Sequence, residues 1–169
     1  MCVLRDQTML AIGMTDGNIL ILDCTTDVTV FMEGRFREIG GIWCIATCNE
    51  GQDLALGTIG GLYFVQIMER QLLRTDECYL EDKNVWNVYE YDKNKLVCTT
   101  WVTPHAYLID RNDPQSLRKP KMIGEQKSKN NHCTDLIPLP TYNFGKCPYF
   151  LKRSAKAVNL IDVRNCQQY

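Results

Sequence analysis

The residues able to do acid–base, nucleophilic or metal chemistry are few and scattered. The chain has two histidines, His105 and His132. His105 follows Pro104 on a turn and His132 opens an apolar run, and no spacing brings them together. Nine cysteines are present, an odd number that cannot pair fully within the chain. None forms CxxC, and Cys44 and Cys48 come nearest. Those two share one face of an extended strand, about 13 Å apart at strand rise, which is too far for a disulfide. His132, Cys133 and Cys147 offer three soft ligands, where a structural zinc takes four in closely spaced pairs. Cys44, Cys98 and Cys133 sit among apolar neighbours, where a reduced thiol acts as a small buried hydrophobe. This usage fits a reducing compartment, cytoplasm or nucleus. No nucleophile elbow, zinc-protease or P-loop pattern occurs. Gly57, Gly60 and Gly61 form GxxGG between two apolar runs, with no helix to receive a pyrophosphate. The residues therefore predict no enzyme, no cofactor and no metal site.

Binding chemistry is better represented. Trp43 and Trp86 stand between aliphatic neighbours, which predicts packing between structural units. Trp101 ends a strand just before a turn and is expected to be exposed. The segment from Arg111 to Asn131 is basic, with Arg118, Lys119 and Lys121 clustered, and reads first as a solvated loop. Its alternative is a nucleic-acid or phosphate site, which a net charge of −1 makes a weak reading. Asp76, Glu77, Glu81 and Asp82 read as a solvated acidic cluster. No run has the roughly 18 apolar residues of a membrane-spanning helix, and the polar N-terminus does not read as a signal peptide.

The elements that must carry these residues are strands. LAIGMTDGNILILD at Leu10–Asp23 nearly superimposes on LALGTIGGLYFVQI at Leu54–Ile67. Each predicts a β-hairpin around a two-residue turn, Asp16-Gly17 in one and Gly60-Gly61 in the other. The pattern repeats. Asp23 and Asp110, each closing an apolar strand, lie 87 residues apart, and Trp43 and Trp86 lie 43 apart. Asp162 closes VNLID in the same way. A period of about 43 with short strands and frequent turn signals predicts an all-β repeat fold. The chain reads as one domain over 1–169, with repeats at roughly 1–40, 41–83, 84–130 and 131–169. Each repeat should supply four antiparallel strands, the third repeat's fourth strand being weak and the last repeat's a remnant.

These features resemble the β-propeller of the WD-repeat family. The resemblance rests on the aliphatic-x-x-Gly strand, the Asp16-Gly17 turn and the hydrophobic-Asp strand ends. It departs at the family's Trp-Asp position, where Leu22-Asp23, Ile109-Asp110 and Ile161-Asp162 stand instead. GTIGGLYFVQI is also similar to the citron-homology propeller. Either resemblance implies four-stranded blades, each needing neighbours to bury both faces.

Four repeats with no spare closing strand predict an incomplete or open propeller. Its end blades would then leave sheet faces bare, drawn from Ile12, Ile19 and Ile21 in the first repeat. In the last they would come from Phe150, Val158, Leu160 and Ile161. The resemblance implies a non-enzymatic scaffold whose partners are other proteins. Further blades, from a longer chain or a second subunit, are also candidate partners. A regulatory citron-homology-type propeller within a larger signalling protein is the alternative. Candidate contact residues are Trp101, His105, Arg118, Lys119 and Lys121; nucleic acid and membrane are not expected partners.

Overall fold

The structure is a computed structural model that describes residues 1–4, 8–101, 103, 105–123, 133–139, 149–154, 158–164 and 167–168. It contains four antiparallel sheets of four strands, each built from consecutive strands in meander order. Blade 1 holds β1 (Cys2–Val3), β2 (Met9–Gly13), β3 (Asn18–Asp23) and β4 (Thr29–Arg35). Blade 2 holds β5 (Ile42–Cys48), β6 (Asp53–Thr58), β7 (Leu62–Ile67) and β8 (Leu72–Tyr79). Blade 3 holds β9 (Val85–Asp92), β10 (Lys95–Thr100), β11 (Ala106–Asp110) and β12 (Lys121–Ile123). Blade 4 holds β13 (Cys133–Pro138), β14 (Tyr149–Ser154), β15 (Val158–Asp162) and β16 (Gln167–Gln168). Among the described residues no helix is long and apolar enough to cross a membrane.

Both faces of a blade are apolar because each packs on a neighbour. One hydrophobic cluster joins blades 1 and 2 through Ile19, Ile21, Leu54 and Leu56. A second joins blades 2 and 3, and a third joins blades 3 and 4. Among the described residues no such cluster joins blade 4 to blade 1, so the blades form an open arc. The first strands lie side by side, β5 against β9 and β9 against β13.

The Leu-Ala-x-Gly motif has a packing reason. A Cβ on Gly13 would lie 2.4 Å from Cγ2 of Ile42, and one on Gly57 would lie 2.9 Å from Cγ1 of Val85. Ile42 and Val85 each open the first strand of the following blade. The glycine thus clears the seat for the next blade's leading aliphatic residue. The strand-end aspartates also have a local role. The carboxylates of Asp23, Asp110 and Asp162 accept backbone N–H bonds from Thr25, Asn112 and Arg164 at 2.9–3.0 Å. Each caps the turn that follows its strand.

The hairpin turns differ from expectation. In blade 1 the loop is Thr15–Asp16–Gly17, closed by Gly17 N–H donating to Met14 O at 3.2 Å, with Gly17 at φ 83°. In blade 2 the turn lies one residue early: Thr58 N–H donates to Gly61 O at 2.9 Å, so Ile59 and Gly60 occupy the corner. Thr58 Oγ1, which donates to the same carbonyl and accepts from Gly60 N–H, moves it there.

The bare faces also differ from expectation. Ile19 and Ile21 are fully buried against blade 2, and Phe150 and Ile161 against blade 3. Side chains alternate along a strand, so the set left partly exposed in blade 1 is Leu10, Ile12, Leu20 and Leu22. In blade 4 it is Ile137, Leu151, Val158 and Leu160. A short helix not expected from the sequence, α1 (Pro114–Arg118), lies between β11 and β12. Asp113 caps it, and Ser116 Oγ accepts the N–H of Asp110, pinning it to the end of β11.

Candidate partner-binding site

Two β-bulges at equivalent positions build the site. In blade 2, Ile42 pairs with Thr58 and Cys44 with Gly57, so Trp43 is the extra residue. In blade 3, Val85 pairs with Thr100 and Asn87 with Thr99, so Trp86 holds the same place. The first strand of blade 4 shifts register in the same way at Thr134. A bulge breaks strand alternation and re-aims the side chain it carries. Ile42 and Val85 take the packing between blades, at 5% and 0% exposure, while Trp43 is 49% exposed. Trp86 is half-buried, and its ring meets that of Trp43 across the boundary between blades 2 and 3, so the expected packing between units describes this contact, while Trp43 also opens to solvent.

Trp101 completes the cluster from a different strand. It follows β10 and its N–H donates to Asn84 O at 2.8 Å, which ties it to the segment entering β9. Its side chain is 46% exposed. The Trp43 and Trp86 ring centroids are 5.4 Å apart with planes tilted by 33°. The Trp86 and Trp101 centroids are 4.9 Å apart at 52°. Together with Asn84 the three indoles line a cleft of about 270 Å³. A chain of hydroxyl hydrogen bonds links Thr100 Oγ1 to Thr103 Oγ1 at 2.7 Å and Thr103 Oγ1 to the Tyr107 hydroxyl at 3.1 Å. Tilted rings in contact, with open faces, offer an apolar stacking surface rather than a catalytic centre.

The other candidate contact residues lie elsewhere. His105 is half-buried just before β11 and does not line the cleft. Arg118 ends α1, Lys119 follows it, Lys121 opens β12, and all three are exposed. Arg118 lines a cleft of about 550 Å³ facing Glu81 and Lys83. Lys119 and Lys121 line another of about 280 Å³, together with Asp110 and Asp113. The structure thus divides the basic group between two clefts, neither of which includes a tryptophan.

Arg111 and Glu77 leave the solvated groups to which the sequence assigned them. Arg111 crosses from blade 3 to blade 2, pairing with Asp53 at 2.7 Å and Glu77 at 2.8 Å. Its guanidinium lies 4.1 Å above the Phe64 ring. Burial works against this charge, but the hydrogen bonds that Arg111 donates to Asp53 and Glu77, with the negative charge of Glu77, hold its pKa above the ordinary value. Nothing in the local sequence around Arg111 marks it as a tie between blades, since its partners lie 58 and 34 residues away.

The buried thiols are poor nucleophiles. Burial pushes Cys44 and Cys48 up to about 12, with Arg111 pulling Cys48 back only in part. Burial raises Cys98 as well. Cys2, Cys24, Cys44, Cys48, Cys78 and Cys98 are free thiols. His132, Cys147 and the side chain of Cys133 lie outside the described residues. Among the described residues no three His, Cys, Asp or Glu side chains gather as a metal site would require.

No family model matches the chain, and no curated protein matches it in sequence. Solved structures match in fold. The β-propeller domain of Cps50 (Swd1) from Myceliophteria thermophila superposes with a TM-score of 0.71 at 14% identity, over 99% of this chain and 54% of that one. Dihydro-heme d1 dehydrogenase NirN, in complex with DHE, superposes with a TM-score of 0.68 at 15% identity, over 98% of this chain and 34% of that one. The chain therefore spans about half the length of the first and a third of the second. The four sheets, their meander order and these superpositions give one conclusion: the chain folds as an incomplete, WD-repeat-like β-propeller of four blades.

Proposed function

We propose that this chain is a non-enzymatic protein–protein interaction scaffold, working in the cytoplasm or nucleus, and that Trp43, Trp86 and Trp101 form its main contact. The observation that carries this reading is a run of three touching indoles on successive blades, Trp43 and Trp101 exposed and Trp86 half-buried in contact with both, with Trp43 and Trp86 on bulges at the same place. A bulge has a local cost in ladder hydrogen bonds, and its recurrence under a tryptophan favours use of the side chain over packing. Exposed tryptophans grouped on a rigid support are what interface hot spots are made of. The partner is a protein segment with apolar or proline side chains that cover the indole faces. Arg118, Lys119, Lys121 and His105 serve as secondary contacts outside the cleft.

A phosphate- or nucleic-acid-binding role for 111–131 has less support. Arg111 is committed to Asp53 and Glu77, and Lys119 and Lys121 share their cleft with two aspartates. Catalysis has less support still, since the buried thiols are held protonated.

The test is selection of binding peptides from a displayed random library on the purified chain. Trp43→Ala, Trp86→Ala and Trp101→Ala should each weaken the selected peptides by about 30-fold or more, the scale of a hot-spot truncation. The far-ultraviolet spectrum should not change. Peptides that bind equally well to all three variants would overturn the reading.

A further inference from the structure

The cleft lined by Trp43, Trp86, Trp101 and Asn84 narrows the class of segment it takes. Its lining among the described residues carries no charge, and Asn84 is the one polar side chain besides the indoles. A cationic ligand meets no carboxylate there, and the phosphates of a nucleic acid meet no lysine or arginine. The rings also touch their neighbours. With 5.4 and 4.9 Å between successive centroids, they form a ridged strip rather than walls around a gap. Hydrogen-bond donors lie idle on this strip. Among the described residues, neither the Trp43 nor the Trp86 indole N–H makes a hydrogen bond, and the Asn84 side-chain amide makes none. An indole offers a donor and no acceptor. The cleft therefore suits apolar rings joined by a backbone whose carbonyls are open.

We infer that the cleft takes a proline-rich segment in the polyproline II conformation, with two prolines three residues apart. This rests on the reading of the indoles as the main contact. Polyproline II has three residues per turn and rises about 3.1 Å per residue, so prolines at i and i+3 share a face about 9 Å apart. The outer indoles, Trp43 and Trp101, lie no more than about 10 Å apart, since each is about 5 Å from Trp86. Those two are the exposed ones, and Trp86 between them is half-buried. Two prolines then cover the outer rings while the residues between them pass over Trp86. The backbone of this conformation makes no internal hydrogen bonds, so its carbonyls accept from the idle indole N–H groups and from Asn84. A helical segment has its carbonyls already paired and would leave those donors unused. An added strand needs an open backbone edge, which a strip of side chains does not supply. A proline-rich segment is also extended before it binds, so little ordering entropy is lost.

The experiment selects binders to the intact chain from two displayed decapeptide libraries, random except for a fixed Pro-x-x-Pro centre in one and Ala-x-x-Ala in the other. Binders should come from the proline library alone. Titrated by indole fluorescence, a selected peptide should lose affinity by about 10-fold or more when either proline is replaced by alanine. Asn84→Ala should weaken it by about 5-fold, the scale of one hydrogen bond. The Asn84 side chain holds nothing in the free chain, so this variant should keep its far-ultraviolet spectrum. Selected peptides that keep their affinity without either proline would overturn the inference. Alanine-library binders that depend on the tryptophans would overturn it too, while leaving the scaffold reading in place. Binders from either library that ignore all three tryptophans would overturn both.

Discussion

Val85 rests against the bare α-carbon of Gly57, so close that a methyl group there would lie 2.9 Å from its Cγ1 and 2.3 Å from the Cys44 sulfur. Both neighbours are held, Val85 by full burial and Cys44 by the strand that carries it. Gly57→Ala should therefore destabilise the chain by about 1–3 kcal/mol, the range for overpacking a core. Denaturant unfolding measures this. Gly60→Ala is the control, because a Cβ there meets nothing closer than 3.3 Å. Equal stability of the two variants would remove the seat between blades 2 and 3 from the account of the repeat.

Arg111 should be worth far more than an ordinary surface cation. Its side chain is 10% exposed and that of Asp53 4%, so Arg111→Met leaves a carboxylate buried without its partner. The expected cost is about 3–5 kcal/mol. Glu77, at 37% side-chain exposure, keeps access to water, and Glu77→Gln should cost less than about 1 kcal/mol. Arg111→Met combined with Asp53→Leu should recover most of the loss, since no charge is then buried. Melting temperatures of the three variants give the order, and a larger loss from Glu77→Gln than from Arg111→Met would contradict it.

The buried thiols predict an alkaline limb in stability. From an ordinary value of 9.0, burial raises Cys44 and Cys48 to about 12. Below pH 9 these thiols are protonated in both the folded and unfolded chains, so their contribution is fully present. Between about pH 9 and 12 the unfolded chain releases protons that the folded chain retains, so stability falls as pH rises. Tyr79, pushed by burial from 10.0 to about 12, adds to the same limb. Urea midpoints at pH 8 and pH 10 should differ. Cys48→Ala combined with Cys98→Ala should flatten the difference, whatever it does to stability at pH 8. In the native chain Cys48 and Cys98 should react with a thiol reagent only as fast as the chain opens, and fast labelling would contradict their burial.

The amino-acid sequence by itself determined the strands, their grouping and the period. Short apolar runs between turn residues admit few other readings, and a 43-residue spacing of Trp43 and Trp86 was visible as spacing alone. It also carried the strand-end aspartates, whose role lies in the local turn, and the presence of the Leu-Ala-x-Gly glycine, whose packing role against the next blade shows only in the fold. The direction of side chains was not legible in the same way. The aliphatic neighbours of Trp43 and Trp86 pointed to packing between units, and the two rings do meet, but the one-residue bulge that leaves Trp43 about half exposed is seen only once β5 and β6 are paired. Ile19 and Ile21 looked available to an open face, but which of two apolar faces is bare depends on the side from which the next blade packs. Arg111 looked solvated because its partners, Asp53 and Glu77, are remote in sequence and meet it only when blades 2 and 3 stack. Sequence determines period through local sterics and hydrophobic pattern. Only the tertiary structure decides register, facing and long-range charge pairing, because each depends on an atom supplied by a different strand.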